Sequence, residues 1–479
     1  MSLIIPANSL SAGGYTVDNS CRFDDGSTDN LARTPSSASN KRTFTFSFWY
    51  KRSNLTGSTK QTIFSATDSN VEFFFWIDSE RFLIYATDTG GSRKFVLQPT
   101  QLLRDTSAWY HIVVAIDTTQ GTEANRAKIY INGSQVTDFT TYLSTSQYPT
   151  QNYDTAINTT NAHTIGVRPG SSMNMNGYLS EFCFIDGTAN AVTDFGEFDE
   201  DSGIWKPIAY AGTYGTNGFY LEIKDSGALG ADTSGNANNF TVNNLTAVDQ
   251  TTDTPTNNFA TGNPLNVPTS NKPTFTNGNN TVAIASASRV GLISTLGITQ
   301  SKWYSEFKLT ATSSVNASIG ITGESSDLCI DNNFGGQSAS NGVSYTAEGT
   351  LYDDGVTTTS WGDTFAVNDI IGVAVDLDNN YIYFAKNGTW QNSGDPTSGA
   401  SGTGGISLTS VASVVERAYF FNTGCLSVAN TNTISVNFGN APYTISSGNA
   451  DANGYGNFEY LPPSGYLSLC TKNLSEILS

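Results

Sequence analysis

Two stretches of this chain, about 260 residues apart, repeat one design. Residues 109–136 read WYHIVVAIDTTQGTEANRAKIYINGSQV and residues 369–391 read DIIGVAVDLDNNYIYFAKNGTWQ. Each is an apolar strand ending in Asp, a polar turn, an aromatic strand and an Asn-Gly pair. Both residues of that pair tolerate the positive φ of a type I′ turn, so Asn-Gly between alternating apolar residues is a strong hairpin signal. The repeat predicts two β-sandwich domains, with Ile129 and Ile131 on one strand face and Tyr130 on the other. In the second copy, Ile382 and Phe384 should oppose Tyr381 and Tyr383.

A chain of 479 residues is too long for one sandwich and suits two domains of about 200 residues each. Its 27 Phe, 22 Tyr and 7 Trp favour strands, punctuated by 45 Gly. No window holds a helical period, so the fold class is all-β. With 23 basic against 42 acidic residues, net charge −19, the chain carries no basic stripe for nucleic acid and disfavours anionic membranes. Cys21, Cys183, Cys329, Cys425 and Cys470 are odd in number and widely spaced, which predicts buried free thiols rather than disulfides or a zinc site. MSLIIPANSL lacks a basic region and a long apolar run, so the expected place of synthesis is a cytosol, without a membrane span. The segment around Ile4, Ile5 and Pro6 is expected to make an intermolecular or interdomain contact.

Domain boundaries follow composition. Residues 1–250 hold strand candidates such as FTFSFWYKR (44–52), VEFFFWID (71–78) and GYLSEFCFIDG (177–187). TTDTPTNNFATGNPLNVPTSNKP (251–273) has four prolines and little apolar content, and reads as an extended linker. Strands resume over 274–450 with KWYSEFKLT (302–310) and ASIGIT (317–322), and 451–479 form a tail. Trp49, Trp76 and Trp109 lie inside strand patterns and are expected in the core.

FTFSFWYKR, AWYHIVVAID, KIYINGSQV and GYLSEFCFIDG fall in an order that resembles laminin-G-like, concanavalin A-like jelly rolls. KWYSEFKL, YDDG, DIIGVAVDLDNNYIYFAKNG and AYFFNTG resemble a SPRY domain. The resemblance implies two tandem concanavalin A-like jelly-roll β-sandwiches joined by an extended linker. CRFDDGSTDNLARTPSSASNKRTFTFSFWYKR, FGEFDEDSGIWKPIAYAGTYGTNGFYLEIKD and the ending LPPSGYLSLCTKNL are similar to a structural protein of marine bacteriophage virions. That likeness implies a virion location, synthesis in the host cytoplasm and other virion proteins as partners.

Catalytic constellations are sparse. Laminarinase-type glycosidases place acids at alternate positions of one strand, so that nucleophile and general acid project into the same groove about 5 Å apart. The nearest match, Glu197-Phe198-Asp199-Glu200-Asp201, ends in Asp and reads as a solvated loop. His111 and His163, the only histidines, read as structural, and Asp376-Leu377-Asp378-Asn379-Asn380 lacks the Gly and Glu of a calcium loop. No catalytic residue, metal ligand or cofactor is therefore expected.

Binding by loops remains. Lectin sites combine a ring that covers a sugar's apolar face with amides and carboxylates that bond its hydroxyls. The candidate residues are Trp390 with Asn387, Gln391, Asn392 and Asp395, and Tyr352 with Asp353 and Asp354. The expected function is non-catalytic attachment of a phage tail fibre or receptor-binding protein to a host-surface glycan. A symmetric homo-oligomer is expected, a trimer above all, because many copies compensate for weak single sites. Capsid head decoration or a head fibre is the alternative, and a polysaccharide-degrading hydrolase ranks behind it.

Overall fold

The computed structural model describes residues 14–53, 55, 60–68, 71–88, 92–141, 147–267, 272–284, 290–314, 316–323, 334–337, 342–408, 418–427 and 430–476. The segment at Ile4, Ile5 and Pro6, and Cys329, lie outside the described residues. The chain forms two compact units that meet in sequence between Asn257 and Asn258.

The first unit contains strands β1 (Ser20–Phe23), β2 (Asn30–Arg33), β3 (Thr43–Arg52), β4 (Gln61–Asp68), β5 (Val71–Asp78), β6 (Arg81–Asp88), β7 (Arg93–Leu97), β8 (Trp109–Asp117) and β9 (Ala127–Ile131). It continues with β10 (Ser134–Gln135), β11 (His163–Ile165), β12 (Gly177–Asp186), β13 (Gly196–Phe198), β14 (Trp205–Pro207), β15 (Phe219–Leu221), β16 (Thr241–Asn243) and β17 (Gln250–Thr251). Among the described residues one sheet runs β10-β9-β8-β3-β12-β1-β17, with β15 also on β12, and the other runs β16-β2-β11-β4-β5-β6-β7. Every paired strand is antiparallel, so successive side chains face opposite sides. Phe44, Phe46, Phe48 and Tyr50 of β3 and Ile112, Val114 and Ile116 of β8 thereby meet Phe73, Phe75 and Ile77 of β5 in a single core. Phe46 and Phe75 pack edge to face, with centroids 5.0 Å apart.

In the second unit the strands are β18 (Thr274–Thr276), β19 (Thr281–Ile284), β20 (Val290–Ile293), β21 (Lys302–Thr312), β22 (Ala317–Gly323), β23 (Gly342–Thr346), β24 (Leu351–Asp353) and β25 (Val356–Thr358). They are followed by β26 (Ile370–Asp376), β27 (Tyr381–Lys386), β28 (Thr389–Trp390), β29 (Ile406–Ser407), β30 (Tyr419–Cys425), β31 (Asn432–Asn437) and the helix α1 (Thr471–Glu476). Its sheets run β18-β19-β31-β21-β26-β27-β28, with β29 on β27, and β20-β30-β22-β23-β24-β25. Ile319, Ile321, Val343, Ile371, Val373, Val375, Ile382 and Phe384 fill the space between them. The chain is thus two tandem jelly-roll sandwiches.

The repeated motif is the same structure twice: β3-β8-β9-β10 in one unit and β21-β26-β27-β28 in the other. Asn132 and Gly133 have φ of 48° and 79°, and Asn387 and Gly388 have 49° and 79°. Each Asn also closes its own hairpin. Asn132 Oδ1 accepts the His111 backbone N–H at 2.8 Å, and Asn387 Oδ1 accepts that of Ile370 at 2.9 Å. Ile129 and Ile131 enter the core while Tyr130 faces away, and Ile382 and Phe384 oppose Tyr381 and Tyr383, as the alternation predicts.

The burial of three tryptophans agrees with the sequence reading, and two domain boundaries depart from it. Trp49, Trp76 and Trp109 are buried, but on the outer faces of the sheets. Their strands are apolar on both sides, and a second layer, including Phe195 and Trp205, covers Trp49 and Trp109. The stretch 251–273 is not one linker: Asp253 and Thr254 are fully buried in the first unit, and Ala260 and Thr261 in the second. Asp253 forms a fully buried ion pair with Lys51 at 2.7 Å and accepts Trp109 Nε1–H at 3.1 Å. Finally, the 451–479 stretch is no loose tail. Leu469 and Leu474 join the second core, and Phe458 and Tyr466 cover the outer face of β21 and β27. A proline can end a strand while the residues after it stay packed, so composition misplaces these boundaries.

Candidate functional site

The hairpin that ends in Asn387-Gly388 leads into β28 and a loop over 391–405. Asn387 is committed to the fold: besides capping Ile370, its Nδ2 donates to Asp369 Oδ1 at 2.7 Å. Gln391 is buried, with Oε1 accepting the Asp363 N–H at 2.8 Å and Nε2 donating to the Thr389 carbonyl at 3.1 Å. Asp395 is exposed but accepts from both Thr397 N–H and Thr397 Oγ1, which holds its carboxyl below the usual range. These three residues hold the loop together through their side-chain hydrogen bonds.

Trp390 and Asn392 differ. Trp390 is half-buried, its ring lying against the cluster of Tyr304, Tyr383, Phe458 and Tyr466. Asn392 is exposed, and both it and Ser393 have positive φ, 54° and 55°. Two successive non-glycine residues in this conformation cost strain that the surrounding hydrogen bonds must hold. Gly394 N–H donates to Gln391 O and Asp395 N–H to Thr403 O, both at 2.9 Å, and the Asn392 amide keeps no hydrogen bond among the described residues.

Tyr352, Asp353 and Asp354 lie on the β24–β25 hairpin of the other sheet. Tyr352 packs edge to face on Phe334, with centroids 5.1 Å apart. The Oδ1 atoms of Asp353 and Asp354 are buried without a hydrogen-bond partner, and burial together with neighbouring Asp354 pushes the Asp353 carboxyl up to about 6. No hydrogen bond or ring contact joins this trio to the Trp390 loop among the described residues.

The acidic stretch at 197–201 is a hairpin, β13 with β14. Lys206 Nζ reaches Asp199 at 3.1 Å and Glu197 at 3.4 Å, and Asp199 is buried instead of solvated. Asp376 is buried, accepts Asn379 N–H and Nδ2–H, and pairs with Lys302 at 3.2 Å, so its carboxylate fastens a turn.

His111 stacks on Trp49 at 4.7 Å. Trp205 Nε1–H donates to its Nδ1 at 2.9 Å, which leaves the proton on Nε2, donated to Ser47 Oγ at 2.9 Å. An imidazole that already gives a proton to the hydroxyl cannot be its base, and burial lowers the His111 pKa to about 3. His163 Nδ1–H donates to Asn161 O and Nε2 accepts the Asn158 N–H, again a structural arrangement.

Two carboxylates escaped the sequence reading. Glu181, at a bulge in β12 with φ 52°, accepts Tyr15 OH at 2.7 Å and Tyr220 OH at 2.6 Å. Glu306 is fully buried and accepts the backbone N–H groups of Glu459 (3.0 Å) and Tyr460 (2.7 Å) and the Asn437 Nδ2–H (3.1 Å). Burial pushes each up to about 7. Both stand in a Ser-Glu-Phe tripeptide inside an apolar strand, 180–182 and 305–307, the one signal that could have exposed them. Glycoside hydrolysis needs a second carboxyl near the first, and Glu306 is flanked at alternate positions of its strand by Tyr304 and Lys308.

Residues 25–191 match the laminin-G-type family described as the concanavalin A-like lectin/glucanases superfamily, and residues 302–425 match the SPRY domain family. The first unit therefore carries a concanavalin A-like domain and the second a SPRY domain. Among solved structures, the SPRY domain of human HERC1 is 16% identical over 36% of this chain and 96% of its own, with a TM-score of 0.28. The heptameric SAP-like pentraxin of Limulus polyphemus is likewise 16% identical, over 36% of this chain and 78% of its own, with a TM-score of 0.28. A candidate carbohydrate-binding protein of Bacteroides ovatus is 14% identical over 48% of this chain and 59% of its own, with a TM-score of 0.32. No curated protein matches the chain.

Proposed function

We propose, from a chain that joins a concanavalin A-like domain to a SPRY domain, that this protein attaches a bacteriophage particle to a glycan on its host. It is made in the host cytoplasm, assembles with other virion proteins, and acts as a homotrimer without catalysis. The first matched family includes lectins as well as glucanases, and the lectin side of that family supports the non-catalytic part of the reading. The observation that carries the glycan part is the Trp390 loop. A half-buried ring stands beside an exposed amide at Asn392, on a backbone whose two left-handed residues are fixed before any ligand arrives. Such preorganisation lowers the ordering cost of binding a weakly held sugar.

Asn392→Ala should lower the thermal midpoint only slightly, because alanine tolerates the left-handed φ of 54° less well than asparagine, and should reduce adsorption to host cells. Trp390→Ala should weaken adsorption further, by about 1 kcal/mol or more per site, with a modest loss of stability because part of its ring is packed. Light scattering should read three copies. Undiminished adsorption by the double variant, or a parent protein that binds neither a glycan array nor host cells, would overturn the attachment reading.

A further inference from the structure

Most ion pairs keep one partner in water, as Lys302 does at 25% exposure beside Asp376, but Lys51 and Asp253 both have side chains 0% exposed. Lys51 sits in β3, in register with Trp109 of β8 on one side and Tyr178 of β12 on the other. Residues in register share a face, and here the Trp109 and Tyr178 rings lie 6.1 Å apart, with Lys51 Nζ 5.7 Å from the centre of the Tyr178 ring. Asp253 arrives from beyond β17, 202 positions later in the sequence. Its backbone is fixed on both sides: the N–H donates to Thr251 Oγ1 at 3.2 Å, and the carbonyl accepts Ser20 Oγ–H at 2.6 Å. Its carboxylate is held at each oxygen as well, Oδ2 by Lys51 Nζ at 2.7 Å and Oδ1 by Trp109 Nε1–H at 3.1 Å. An amine and a carboxyl group are thus in contact inside aromatic walls, with a proton donor aimed at the carboxyl oxygen that faces away from the amine.

We propose that Lys51 and Asp253 condense into an isopeptide bond, a covalent tie between the central strand β3 of the sheet and the end of the first unit. Two opposite charges buried without water carry a desolvation cost that their attraction offsets only in part, and condensation removes both charges together. One proton crosses the hydrogen bond from Nζ to Oδ2, which leaves a nucleophilic amine facing a carboxylic acid. The Nζ lone pair attacks Cγ and forms the new C–N bond. Negative charge gathers on Oδ1, where the Trp109 N–H already donates, so the indole acts as the oxyanion donor of the step. Oδ2 then takes a second proton from the nitrogen, the Cγ–Oδ2 bond breaks, and water leaves. The carbonyl re-forms at Oδ1 and Nζ keeps one hydrogen as an amide N–H. The atoms balance without any further reactant. Fixed contact between the two groups supplies the proximity that amide formation in water lacks, and the ring walls keep out the water that would reverse it. A tie across 202 positions also restricts the unfolded chain, so the linked unit resists unfolding more than the ion pair alone would.

The test is the intact mass of the full chain, followed with time after cell-free synthesis. The matured protein should weigh one water less than its sequence, and a protease digest should yield a branched peptide that joins Lys51 to Asp253, with trypsin unable to cut after Lys51. Lys51→Arg, which keeps the charge but forms no such amide, should show the full mass. Trp109→Phe, which keeps a ring and deletes the N–H, should form the bond roughly a hundredfold more slowly, with circular dichroism reporting its fold. The full mass in aged parent protein would overturn the proposal, whether or not either variant folds. So would a missing water traced to a succinimide at Asp25-Gly26, Asp186-Gly187 or Asp354-Gly355, where the same mass is lost without a crosslink. A folded Trp109→Phe protein that matures at the parent's rate would overturn the step as written.

Discussion

At the scale of single residues, the two buried glutamates make the fold sensitive to pH. Each has a folded pKa of about 7 against an ordinary value of 4.5, with burial the leading cause. A raised carboxyl pKa means that the folded state holds the proton more tightly than the unfolded chain. The contribution is fully present below about 4.5 and is lost as pH rises through about 7, on the order of 3 kcal/mol for each group. In the first unit His111 and His163, buried neutral with pKa lowered to about 3 and about 4, oppose Glu181 over the same range. The second unit holds no histidine, so its thermal midpoint should be lower at pH 8 than at pH 5, and Glu306→Gln should flatten that slope. A steeper slope in that variant would contradict this account. These positions were hidden in the sequence because a lone acid in an apolar strand carries no mark of whether tyrosine hydroxyls, backbone amides or water will meet it.

At the scale of elements, the hairpins were the most legible part of the chain. Their Asn-Gly turns and alternation specify register locally, and Ile129 and Phe384 enter their cores as that alternation requires. What lay beyond local patterning was the second layer on each sheet's outer face. A Cβ at Gly133 would come within 2.3 Å of the Trp205 ring, and one at Gly388 within 2.6 Å of Tyr460, contacts across 72 residues in each case. Gly133→Ala should therefore destabilise the first unit by about 1–3 kcal/mol, through the left-handed backbone and the displaced indole together. Unfolding followed by tryptophan fluorescence would check it, and an unchanged midpoint would show that the cover yields freely. The Trp390 loop was only half legible for the same reason: residue types suggested a site, but whether Asn387 and Gln391 faced solvent or backbone depended on partners at Asp369 and Asp363.

For each folded unit as a whole, the boundary matters most. The first unit ends at Asn257, and its last residues include Asp253, the buried partner of Lys51. A fragment of residues 10–257 should fold alone, whereas one ending at 250 leaves the Lys51 ammonium buried without its carboxylate, a loss of about 3–5 kcal/mol. Circular dichroism and thermal melts of the two fragments would separate these outcomes, and equal stability would refute the boundary. Proline count misplaced this point because Asp253 is fixed by a long-range ion pair with no signature in its neighbours.

The entry and exit of that unit lie side by side: β1 pairs with β17 antiparallel, Ser20 opposite Thr251, and just beyond them the Val17 N–H donates to Thr256 Oγ1 at 3.0 Å. Tension on the chain from both ends would consequently load these contacts one after another, as a zipper, rather than all at once in shear. The Val17–Thr256 bond would part first and the Ser20–Asp253 bond, 2.6 Å long, next, leaving the Lys51–Asp253 pair as the lock that a pulling force must break before the sandwich opens.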